Sequence, residues 1–113
     1  MKNILALITI LPFALNGQIA NLDGTALKIN PGFYIQANSN LKISNGGKFY
    51  GEGELVLKAD LQDENPDATS HQITAIFNGD SEQKIYSTKK QIGFSKIIVS
   101  NNSKVESKTN ITL

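Results

Sequence analysis

Leu41-Lys42-Ile43-Ser44-Asn45, followed by Gly46-Gly47, alternates apolar and polar side chains and then breaks into a turn. Alternation with a period of two puts Leu41 and Ile43 on one face of a strand and Lys42 and Ser44 on the other. The Asn-Gly-Gly segment accepts the positive φ angles of a tight turn. The unit returns as Ile97-Ile98-Val99-Ser100-Asn101, 56 positions later, and the alignment continues without a gap. Lys48 meets Lys104, Phe49 meets Val105, Leu55 meets Ile111 and Leu57 meets Leu113. A weaker echo at 14 positions relates Leu27-Lys28-Ile29 to Leu41-Lys42-Ile43.

Outward from this unit the same grammar recurs. Ala26 to Ile29, Phe33 to Ala37, Phe49 to Leu57, Gln72 to Phe77, Gln83 to Tyr86, Phe94 to Ser100, Lys104 to Ser107 and Thr109 to Leu113 read as strands. Asn30-Pro31-Gly32, Asn38-Ser39-Asn40 and Asn78-Gly79-Asp80 read as turns between them. Gly51 and Gly53 fall at alternate positions of the longest strand, which suits a bend or a close approach of neighbouring backbone. Asp60 to His71 reads as an irregular polar loop interrupted by Pro66. Repeated strand-and-turn units predict a solenoid whose coils stack inward apolar residues into columns and turn asparagines into ladders. The expected fold is all-β, a short right-handed parallel β-helix over residues 18–113. The alternative is an antiparallel β-sandwich in which the same corners are hairpins.

Residues 1–17 read as a secretory signal peptide. Lys2 supplies the positive start, Ile4 to Leu15 the apolar run, and Asn16-Gly17 the polar, small exit. The expected cut lies between Gly17 and Gln18, with cuts after Ala14 or Ala20 as alternatives. The apolar run falls short of the roughly 20 residues of a spanning helix. The mature chain is therefore expected outside the cytoplasm, in the periplasm, secreted or at the cell surface, with no stable membrane span. The sequence has no cysteine, which excludes a lipid anchor on cysteine and any disulfide. Its 11 basic residues, all lysine, nearly balance its 10 acids. Without arginine the bidentate fork for phosphate and guanine is missing, which argues against nucleic acid as a partner. The chain stops at Leu113 within an apparent strand, which reads either as an ordinary terminal strand or as the N-terminal piece of a longer protein continued by further repeats.

Phe77-Asn78-Gly79-Asp80-Ser81-Glu82-Gln83-Lys84-Ile85 carries a more particular pattern, an apolar residue with Phe-Asn-Gly, a short turn, then Gln-x-Ile. Phe94, Ile97, Val99, Asn101 and Asn102 follow as Phe-x-x-apolar-x-apolar-Asn-Asn, and Val105, Ile111 and Leu113 continue it. Residues 41–113 thus resemble the repeat regions of large secreted and surface proteins of Bacteroidota, many of them type IX secretion substrates. The resemblance implies a β-helix-like or adhesin-like scaffold and no catalytic residues.

Chemistry-bearing patterns are sparse. His71 is the single histidine and, beside a polar loop, is expected at the surface. No nucleophile elbow, phosphate loop or zinc-ligand set is present. Asp60, Asp63, Glu64 and Asp67 form the one acidic cluster and the weak candidate calcium site, although their spacing departs from the EF-hand pattern. Glu52 and Glu54 share one face of a strand, expected to be the outward one, and could approach the separation used by retaining glycosidases. Aromatic residues to stack sugars are few, namely Tyr34, Tyr50 and Tyr86. Asn101 and Asn110 begin glycosylation sequons in form. No cofactor is implied. The expected function is a non-enzymatic structural or adhesive surface module with glycans or other surface proteins as partners. The alternative is a small carbohydrate-binding β-sandwich module.

Overall fold

Apolar side chains at every second position bury one face of each strand, and these faces stack rung on rung. The computed structural model describes residues 19–113. The signal peptide over residues 1–17 and the cut between Gly17 and Gln18 lie outside the described residues. Eleven strands, with no helix among the described residues, run β1 (Asn21–Asp23), β2 (Ala26–Lys28), β3 (Tyr34–Ala37), β4 (Leu41–Ser44), β5 (Lys48–Leu57), β6 (Leu61–Asp63), β7 (Thr69–Phe77), β8 (Gln83–Ser87), β9 (Gln91–Val99), β10 (Val105–Ser107) and β11 (Asn110–Thr112). One sheet is ordered β1-β4-β6-β8-β10, the other β11-β9-β7-β5-β2, with β3 also pairing β5. Every pairing is parallel. The chain is therefore a β-solenoid of about four coils, each crossing the short-stranded sheet and then the long-stranded one. The antiparallel sandwich is excluded, because a hairpin-linked strand would pair antiparallel with its sequence neighbour.

Register defines the core. On the long sheet Ile35, Leu55, Ala75 and Ile97 form one column, and Ala37, Leu57, Phe77 and Val99 another. On the short sheet Leu41, Leu61 and Ile85 align, as do Leu22 and Ile43. Most of these side chains are fully buried, and burial of each Leu, Ile or Phe among them contributes about 1.5–3 kcal/mol. Val99, at the end of its column on β9, is exposed, as are Ile111 and Leu113.

The register also corrects the repeat length. Leu41 stacks on Leu61, an advance of 20 residues, and Leu61 on Ile85, an advance of 24. The 56-position alignment is not a multiple of the coil: Leu41 lies in the short sheet and Ile97 in the long one. The 14-position echo fails in the same way, since β2 and β4 belong to different sheets. Both sheets use the same apolar-polar alternation, so strands from opposite sides of a coil look alike in sequence.

The two mid-strand glycines have the expected role. The β5–β7 register shifts between Tyr50 and Glu54, a bulge at which Gly51 takes φ 115°. A Cβ at Gly51 would collide with the Ile29 carbonyl oxygen, and one at Gly53 with the Ile29 side chain. Coil 1 breaks at the same place, into β2 and β3, so the bend is shared between layers.

Candidate functional site

The stretch expected to be an irregular acidic loop is instead part of the wall. Leu61–Asp63 forms β6 and β7 begins at Thr69, so only residues 64–68 connect them. The four candidate calcium ligands go to separate partners. Asp60 sits at the corner before β6 and its Oδ1 accepts the Lys84 N–H at 2.8 Å. Asp63 points inward and is buried. Glu64 is at the surface, paired with Lys42 at 3.4 Å. Asp67 is exposed, and its carbonyl accepts the Thr69 hydroxyl at 3.1 Å. Among the described residues no group of three acids or histidines is placed to hold a metal ion.

His71 is the largest departure from the expectation. It is fully buried rather than at the surface. It takes a core position in the column Leu27, Phe49, His71, Phe94, with ring centroids 6.1 Å from Phe49 and 5.9 Å from Phe94. A polar ring can lie there because both its nitrogens are partnered. The Phe49 N–H donates to Nδ1 at 3.1 Å, and Nε2 lies 3.0 Å from Asp63 Oδ2. The pattern assigns the ring proton to Nε2, donated to the carboxylate. Asp63 Oδ1 accepts the Asn65 N–H at 3.0 Å. Asn65 is also buried. Its Oδ1 accepts the Gly46 N–H at 2.6 Å, and its Nδ2 donates to the Gly47 carbonyl and the Thr69 hydroxyl, both at 3.0 Å. One connected network thus joins the corner of coil 2 to β6 and β7 of coil 3. With both ring nitrogens consumed and no solvent access, His71 has no free lone pair for a substrate proton or a metal.

The opposite corner has its own buried polar residue. Gln83 is fully buried. Its Oε1 accepts the Gly79 N–H at 2.7 Å and Asn101 Nδ2 at 2.8 Å, and its Nε2 donates to the carbonyls of Leu57 at 3.0 Å and Ala59 at 2.8 Å. Three successive coils meet on this one amide. Gly79 is required because a Cβ there would strike the Lys58 carbonyl oxygen. The Phe-Asn-Gly…Gln-x-Ile motif is therefore a corner fastener: Phe77 and Ile85 fill the core, and Gly79 and Gln83 close the turn. Mixed Asn, Asp and Gln bridges take the place of a pure asparagine ladder. Asn45 Nδ2 donates to Asp23 at 2.7 Å, and Asn40 accepts the Asp60 N–H at 3.1 Å.

The remaining candidates lie on the outside. Glu52 and Glu54 are exposed on β5, as their alternation predicts. The sequon nitrogen of Asn101 is engaged with Ser81 and Gln83. The Glu82 carboxylate beside Lys104 holds its ammonium above the usual lysine value, and Lys108 beside Glu106 holds that carboxyl below the usual range. Both pairs are solvent-exposed and contribute little to stability. Among the described residues no helix is long and apolar enough to cross a membrane. Comparison with protein-family models, curated proteins and solved structures yields no match.

Proposed function

We propose that the chain is a non-enzymatic, exported structural or adhesive module that displays the outer walls of a β-solenoid. The supporting observation is where the chemistry-bearing side chains go. His71, Asn65 and Gln83 spend their hydrogen-bonding capacity on fastening one coil to the next, and Asp63 spends its own on holding His71 and Asn65 in place. Residues committed in this way hold a scaffold rigid, and the exposed positions are left for contact. The leader-like residues 1–17 support export, and the motif over residues 77–85 supports a repeat scaffold of the kind carried by Bacteroidota surface proteins. The edge of β9 over Lys96–Val99 has no strand paired beyond it among the described residues, which suits a further coil of the same polypeptide or a surface protein as neighbour.

Expression of residues 1–113 in a Gram-negative host, followed by fractionation and intact mass measurement, tests the export part of this reading. The expected result is a periplasmic or extracellular protein beginning at Gln18. A chain that stays cytoplasmic, or an exported chain still carrying Met1, contradicts it.

A further inference from the structure

The outer face of the long sheet carries a trough that no fastening role explains. In parallel register Ala26 lies beside Lys48, Lys28 beside Tyr50, and Tyr50 beside Gln72. A depression of about 450 Å³ opens there between Ala26, Lys48, Tyr50, Gly51 and Gln72. A second, of about 150 Å³, follows between Ala68, Thr69, Ser70, Gln91, Gly93 and Thr112. The two belong to one surface, because Ser70, Gly93 and Thr112 continue the same face and Gln72 Nε2 donates to Ser70 Oγ at 2.7 Å across the boundary. From β2 to β11 the trough crosses five rungs, about 19 Å at the usual strand spacing.

Its chemistry is specific. Tyr50, 38% exposed, is the one large aromatic that the long sheet turns outward to this degree among the described residues. Gly51 lines the depression beside it. Lys28 and Lys48 flank the ring and form no ion pair among the described residues. Amides and hydroxyls line the rest together with Ala26, Ala68, Gly51 and Gly93. An aromatic face takes the C–H face of a ring, the ammonium groups take anions, and the amides and hydroxyls exchange hydrogen bonds with hydroxyl groups. An extended peptide would add at a sheet edge through its backbone, whereas here the wall's backbone groups are already used in the ladders.

We infer that this trough binds an acidic polysaccharide, a hydroxyl-rich chain bearing carboxylates, with Tyr50 as the stacking platform and Lys28 and Lys48 as the anion contacts. The inference rests on the reading of the chain as an exported surface module. Affinity electrophoresis of residues 18–113 through gels containing polygalacturonate, alginate or hyaluronate tests it, with dextran as the neutral control. The expected result is retardation by at least one acidic chain and none by dextran. Tyr50→Ala and the Lys28→Ala/Lys48→Ala pair should each weaken that binding about tenfold with unchanged melting, while Tyr86→Ala on the other sheet has no effect. Absence of retardation by all three acidic chains, equal retardation by dextran, or full binding by Tyr50→Ala overturns the site. That failure would leave the export measurement untouched, so the two readings fall separately.

Discussion

Gln83→Ala is expected to remove about 4 kcal/mol of folding stability, a large share of the roughly 5–15 kcal/mol that holds a domain of this size. The loss has two parts. The buried Gly79 N–H and the Ala59 carbonyl lose the partner that Gln83 supplies, each unsatisfied group costing about 1–3 kcal/mol, while the Leu57 carbonyl keeps only the Asn78 N–H. A void also opens between three coils. Gln83→Met separates the parts, since it keeps the chain length and removes every polar atom, and it should still cost about 3 kcal/mol. Urea titration followed by far-ultraviolet circular dichroism reads both. A loss below about 1 kcal/mol in either variant would mean that the corner is held by something other than this amide.

Asp63→Ala is expected to cost about 3 kcal/mol, because it strands the Nε2–H of His71 and the Asn65 N–H in a dry interior. His71→Phe alone should cost about 2 kcal/mol, since it continues the aromatic column but leaves the Phe49 N–H without an acceptor. The double variant Asp63→Leu/His71→Phe removes donor and acceptor together. Its cost should fall below the sum of the single Asp63→Leu and His71→Phe variants by more than about 1 kcal/mol. Midpoints of urea unfolding for the three variants close the cycle, and additivity within about 0.5 kcal/mol would show that the pair does not act as a unit.

These two networks also mark where the sequence was readable. β4 is found at its exact bounds, and the other alternating strands within a few residues, because period two is what a half-buried strand requires. β6 is hidden, since Leu61-Gln62-Asp63 has one apolar residue and is flanked by Asp60 and Glu64. The coil length is also hidden, because strands of both sheets share one alphabet. The buried polar residues depart from expectation for a physical reason: composition assigns His and Asp to water, yet a pair that satisfies its own hydrogen bonds can occupy the core. A usable signal existed in the phase of the alternation. His71 is in step with Ile73, Ala75 and Phe77, Asp63 with Leu61, and Gln83 with Ile85, and all lie inward. Phase along the strand was the better guide than polarity. Nothing comparable in the sequence announces the trough beside Tyr50, which arises only when β2, β5 and β7 are laid side by side.

Parallel stacking at an advance of 20 to 24 residues places the corners, the columns and the trough. With no native cysteine, a pair of engineered ones reports it without interference. Lys42 and Gln62 are exposed Cα partners on adjacent rungs, and Tyr86 is the next partner beyond Gln62. Neighbouring rungs lie about 4.8 Å apart, within the Cα range of a disulfide, whereas two rungs exceed it. The solenoid predicts that Lys42→Cys/Gln62→Cys forms an intramolecular disulfide on mild oxidation and Lys42→Cys/Tyr86→Cys does not. Failure of the first pair to close, or equal closure of the second, would contradict it.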